Sequence, residues 1–133
     1  MLGRDHPGTL TTRQNIAFWT GRVGDAREAL RLSRALLPDR ERVLGHDHPA
    51  TLSTRQDIAS WTGGVGDASE ALRLYRSLLP DWERVLGRDH PDTLRTQEAI
   101  KLLESAASLS QDERIERSGS LIRRLMSWWK RPR

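Results

Sequence analysis

Three Asp-His pairs stand in this chain, Asp5-His6, Asp47-His48 and Asp89-His90, each followed by a proline. Imidazole nitrogen and carboxylate oxygen are the donors of zinc sites, so the pairs invite a metal reading. Their spacing argues against it. They recur every 42 residues. Packed helices lie about 8–10 Å apart, so successive copies would hold their histidines at least that far from one another. Ligands of one zinc ion all lie about 2 Å from it. No metal and no cofactor is therefore expected. Asp or His just before a proline has a simpler use, because it can accept a free N–H at the start of a helix.

Other chemistry finds little footing. No glycine-rich phosphate loop, no nucleophile beside a base at a known spacing and no carboxylate pair in an expected pocket is present. Gly21 to Gly24 reads as a hairpin turn. The chain lacks cysteine, which excludes disulfide and thiolate chemistry. The reading is non-enzymatic.

The elements that carry the Asp-His pairs form a repeat. The phrase Leu-Gly-x-Asp-His-Pro begins at Leu2, Leu44 and Leu86. A period of this length signals stacked helical hairpins. Hydrophobic residues are 36% and charged residues 30%, a balance that fits a helix-rich globular chain. No run of about 18 apolar residues exists, and no signal peptide is visible, so the cytoplasm is the expected compartment.

Each copy reads as two helices. The first starts near Pro7 and carries Leu10, Ile16, Ala17 and Trp19, and Gly24 offers a left-handed stop. Asp25 can cap the second, which carries Ala29, Leu30, Leu32, Leu36 and Leu37 and ends at Gly45. Pro38 and Pro80 fall inside the second helices and predict a kink or a restart. Trp19 and Trp61 share one repeat position and read as core. Trp82, where copy one has Arg40, is expected to pack on the third copy. That copy diverges, with Lys101 for Ala17 and Ala59, as terminal repeats do. Ser110 and Glu113 then suggest a capping box for a last helix.

Ile16-Ala17, Gly24-Asp25 and Ala29, repeated as Ile58-Ala59, Gly66 and Ala71, resemble the tetratricopeptide repeat. The long period and the Gly-x-Asp-His-Pro linker look like its kinesin-light-chain subtype, as found in actinobacterial arrays. Such arrays commonly follow nucleotide-binding ATPase domains, of which no motif occurs here. Thr20 and Thr62 replace the usual aromatic late in the first helix, and Ser33 the usual bulky residue of the second, which Tyr75 restores.

The resemblance implies an all-α, right-handed solenoid of stacked helix-turn-helix repeats with a C-terminal capping helix. The repeats would fill residues 1–110, as copies at 2–43 and 44–85 and a partial one at 86–110. Residues 111–133 would form a basic amphipathic helix and tail. It also implies a protein-interaction module, an adaptor or sensor, with a concave groove for a peptide or partner helix. By position the groove takes Thr11, Gln14, Asn15 and Phe18 from copy one. Copy two gives Ser53, Gln56, Asp57 and Ser60, and copy three gives Arg95, Glu98 and Leu102.

Charge marks a second surface. Net charge is +4, and residues 112–133 hold seven basic and three acidic residues, which is the whole excess. Arg123, Arg124, Lys130 and Arg131 flank Trp128 and Trp129 there. A basic helix with tryptophan suits an anionic membrane surface or polymer, and this is the alternative reading. The neutral repeat region offers no basic stripe, so nucleic acid is not expected. Two full copies and a part leave an apolar end, so self-association through that end, or its closure by the tail, is expected.

Overall fold

The computed structural model describes residues 3–107. Five helices follow one another: α1 (Pro7–Arg22), α2 (Ala26–Leu44), α3 (Pro49–Gly64), α4 (Ala68–Leu86) and α5 (Pro91–Ala107). There is no strand among the described residues. Each helix packs on the next in chain order, which makes an all-α repeat solenoid. The last helix expected from Ser110 onward lies outside the described residues.

The Asp-His-Pro phrases start helices. The Nδ1 of His6 accepts from the Gly8 N–H at 2.9 Å, that of His48 from Ala50 at 3.0 Å and that of His90 from Asp92 at 3.1 Å. Proline follows at the first helical position, where its missing N–H has no partner to lose. Asp25 and Asp67 cap the second helices by accepting from the Glu28 and Glu70 N–H groups. Gly45 and Gly87 end them with φ of 91° and 92°, a conformation costly for any side chain.

The aspartates of the same phrases have a second task. Asp5 takes a two-pronged ion pair from Arg42, which also holds Asp39, and Asp39 takes Arg13 at 2.6 Å. One repeat later Asp47, Arg84, Asp81 and Arg55 do the same. The clamp ties the linker before a helix pair to the end of that pair.

α2 and α4 run unbroken through Pro38 and Pro80, so no restart occurs. Both prolines are exposed, and so are Arg34 and Arg76, whose carbonyls lose their donors. Water can serve those carbonyls, which limits the cost.

The core lies between the helices. α2 buries Ala29, Leu30, Ser33, Leu36 and Arg40 along one stripe, and α4 buries Ala71, Tyr75, Leu78 and Trp82. α3 is covered on nearly every side, with all of residues 51–63 buried except Arg55. Trp61 is 1% exposed, packed with Ala29, Leu30 and Ile58. A Cβ on Gly21 would come within 2.1 Å of that ring, so the bare α1 backbone is what admits it.

Trp19 corrects the sequence reading. It is 61% exposed, because none of the described helices covers that face of α1. Trp82 is buried; its apolar cluster partners are Leu52 and Leu78 of the second copy, and its indole shares the Gln56 oxygen with Thr96 of the third.

Gly21 and Gly63 share a repeat position but should answer oppositely to alanine. Alanine gains about 1 kcal/mol of helix propensity over glycine. At Gly21 the clash with Trp61, an overpacking cost of about 1–3 kcal/mol, outweighs that gain. At Gly63 a Cβ meets only Ala71, at an ordinary 3.6 Å. Urea denaturation should therefore show Gly21→Ala destabilised and Gly63→Ala unchanged or stabilised.

The clamps should set the acid limit of stability. Asp39 and Asp81 are held below their ordinary range first by Arg13 and Arg55, and also by Arg42 and Arg84. Asp5 and Asp47 are lowered by Arg42 and Arg84. A lowered folded-state value gives stability that is present above the unfolded value and lost as pH falls through the folded one. Thermal melts should show a flat midpoint from neutral pH to about 5 and a decline below about 4, the unperturbed aspartate value. Asp39→Asn and Asp81→Asn together should flatten that decline.

Candidate protein-interaction groove

The residues assigned to a groove by repeat position divide into a buried set and a more open one. Ser53, Gln56, Asp57 and Ser60 are buried, at 7%, 8%, 2% and 6% exposure. Thr11 and Asn15 on α1 are exposed, and Gln14 and Phe18 are half-buried. Arg95, Glu98 and Leu102 on α5 are half-buried too. Copy two therefore spends its groove residues on the interior, while copies one and three keep theirs partly open. Among the described helices α3 lies between neighbours on both sides, whereas α1 has a neighbour on one side only.

The floor is a hydrogen-bond network. The Gln14 amide donates to Asp57 at 3.0 Å and to Ser53 at 3.3 Å. Its carbonyl oxygen accepts from Arg40 at 2.6 Å. Arg40, only 3% exposed, also donates to Thr54 and to the Ala50 carbonyl. Burial pushes its pKa down, and the charge of Asp57 opposes that shift. Copy two answers the same need differently. Trp82 donates its indole N–H to Gln56 at 3.0 Å, and Thr96 donates to the same oxygen at 3.1 Å. Tyr75 and Ser60 pair at 2.6 Å, and burial raises the tyrosine pKa.

Sequence reasoning named Gln14, Ser53, Gln56, Asp57 and Ser60 as groove candidates by repeat position, but did not name Arg40, Thr54, Tyr75 and Thr96, with which they hydrogen-bond. A signal was available in the comparison of copies. Where Arg40 becomes Trp82, the acid at Asp57 becomes Ala99, 17 residues further on in both cases. The buried cation and its counter-charge leave together.

Among the described residues there is no group of His, Cys, Asp or Glu arranged to hold a metal ion. No described helix is long and apolar enough to cross a membrane. Arg123, Arg124, Trp128, Trp129, Lys130 and Arg131 lie outside the described residues.

The tetratricopeptide repeat pattern matches residues 14–81. The fold is similar to two crystal structures of a kinesin-light-chain-type protein of Podosopora anserina with nearly identical TPR-like repeats, one of them a single-substitution variant. The TM-scores are 0.66 for the variant and 0.64 for the other, at 21% identity in both. Each alignment covers 98% of this chain and 61% of that one, so the chain spans about three fifths of those structures. No curated protein matches the chain.

Removing one member of the network should cost more than it is worth as a contact. Arg40→Ala leaves Asp57 buried without its cation and Gln14 without its donor, a loss of about 3–5 kcal/mol. The double variant Arg40→Trp with Asp57→Ala copies the second repeat's solution. In urea denaturation it should lose clearly less than the sum of the two single losses. Strict additivity would show that the pair does not act as a unit.

Proposed function

The chain belongs to the tetratricopeptide repeat family, and from that premise we propose that it is a non-enzymatic adaptor or sensor holding a peptide or partner helix in its concave groove. Repeats of this family generally mediate protein–protein interaction. The observation that carries the finer reading is the contrast between floor and flanks. Gln14, Ser53 and Asp57 are already fixed by mutual hydrogen bonds. Asn15 and Thr11 stand exposed beside them on one flank, and Arg95, Glu98 and Leu102 are partly open on the other. Amide and carboxylate groups of this kind bond a peptide backbone from either side. A rigid floor lowers the ordering cost of binding. Affinity gained through main-chain bonds comes with modest sequence preference. The expected compartment is the cytoplasm.

The second reading rests on the basic segment 111–133, which holds the entire net charge of the chain. Attraction to anionic lipid and insertion of Trp128 and Trp129 would then add, and binding would weaken with salt.

One set of experiments separates them. Partner capture from native extract should be lost in an Asn15→Ala, Glu98→Ala double variant whose thermal midpoint equals that of the wild type. The same capture should survive truncation at Gln111. Capture that ignores the double variant, or flotation on anionic liposomes that requires residues 111–133, would favour the basic tail.

A further inference from the structure

We propose that a cleft along α2 is a second docking site, separate from the groove, and that it takes an extended acidic peptide whose two carboxylates flank an apolar side chain. The cleft lies within the stack, where the first copy meets the second. Arg27, Leu30, Arg31 and Arg34 of α2 line it together with Val65, the cap of α3, around a volume of about 480 Å³. Residues three, four and seven apart share one helix face, so the four α2 residues form a single stripe. Leu30 and Val65 belong to the apolar cluster of Trp61 and give the cleft an apolar base. The groove candidates stand on α1, α3 and α5, so the two surfaces use different helices.

The cations of this cleft are not all spoken for. Every other helical arginine among the described residues is engaged by an acid, by buried polar groups or, for Arg22, by aromatic rings. In the cleft Arg31 is paired with Glu28, but Arg27 and Arg34 have no ion pair or hydrogen bond among the described residues. Glu70 feels the charge of Arg34 yet is paired with Arg73.

This open charge belongs to the first junction and not to the repeat. One period later Ser69 stands for Arg27. Arg76 stands for Arg34, and it is paired with Glu104 at 3.3 Å. The residue equivalent to Glu104 at the first junction is Thr62, which brings no charge. Two positions thus differ in the same sense, and both leave a cation free beside one cleft. Helix α2 does not need them for packing, because Arg27 and Arg34 are exposed.

Spacing and chemistry choose the occupant. Arg27 and Arg34 lie seven residues apart, about 10 Å along the helix axis. In an extended chain two residues four apart lie about 13 Å from each other on one face, and the residue midway shares that face. Carboxylates so placed come within reach of both guanidinium groups, whose paired N–H donors match them. The apolar side chain midway then covers Leu30 and Val65. A nucleic-acid backbone fits less well, since its closely spaced phosphates would also meet Glu28 and Glu70 beside the stripe.

The test uses a labelled, end-capped probe peptide, Ser-Glu-Ser-Leu-Ser-Glu-Ser, with the full-length protein. Fluorescence anisotropy at low ionic strength should show binding that weakens with salt. A probe with both Glu replaced by Gln should bind about fivefold more weakly or worse, the scale of two exposed ion pairs. Replacing the central Leu by Ser should weaken binding by a similar factor, through lost apolar burial. Arg27→Ser with Arg34→Gln should weaken the Glu probe about fivefold, leave the Gln probe unaffected and keep the thermal midpoint. Equal binding of the Glu and Gln probes, binding of neither, or indifference to the arginine double variant would overturn the proposal. Loss of the Glu probe in Asn15→Ala, Glu98→Ala would put the peptide in the groove and overturn it too. Displacement by inorganic phosphate at concentrations similar to those of the probe would make a bare anion the ligand, with the same consequence.

Discussion

One contact fixes how the first repeat meets the second: the Trp61 ring lies on the bare backbone of Gly21. The ring is among the largest fully buried side chains, and a tryptophan can bury that much area only where the opposing surface has room for it. Gly21 provides the room, and Ala29 and Leu30 close the sides. Once the ring is seated, the helix positions around it follow. Ile58 comes onto α2, and Gly64 comes close to Ala26. The next junction repeats the plan with smaller parts. Leu103 takes the tryptophan position and packs with Ala71 and Tyr75.

The polar side of α3 is what gives this core its specificity. A helix buried nearly all round would ordinarily be apolar all round. α3 instead buries Ser53, Thr54, Gln56, Asp57 and Ser60. Each buried polar group costs free energy unless paired, so the neighbours must supply partners at fixed places. Gln14, Arg40, Tyr75, Trp82 and Thr96 do so. A slipped register between helices would break several of these bonds at once, whereas an apolar core would tolerate the slip. In the proposed reading the same groups form the floor of the groove.

The same helix face meets different surroundings in the first and second copies. An interior helix pair meets a copy on each side, and its sequence is written for both contacts. α1 keeps the apolar residues of that contact yet has Arg22 at the position of Gly64. Arg22 covers part of the aromatic surface from above, by cation–π contact with Phe18 and Trp19.

Much of this protein was legible in the sequence. The repeated Asp-His-Pro phrase announced three helix starts, and Gly45 and Gly87 announced two stops, because caps and left-handed glycines are local events. The burial of Ala17 and Ala29 followed from helical periodicity, which needs only the chain's own spacing. The prolines misled in part, because only the folded helix shows that they lie on its exposed side. Trp19 and Trp61 are the sharper case. They occupy one repeat position in closely matching local sequence, yet one is open and the other sealed. No local rule separates them, since burial depends on whether a neighbouring helix pair is present. Arg40 is like them: its buried place rests on Gln14, Thr54 and Asp57, residues on two other helices. The sequence by itself determined where each helix begins, ends and turns its apolar face, and the tertiary structure alone decided which of those faces found a partner.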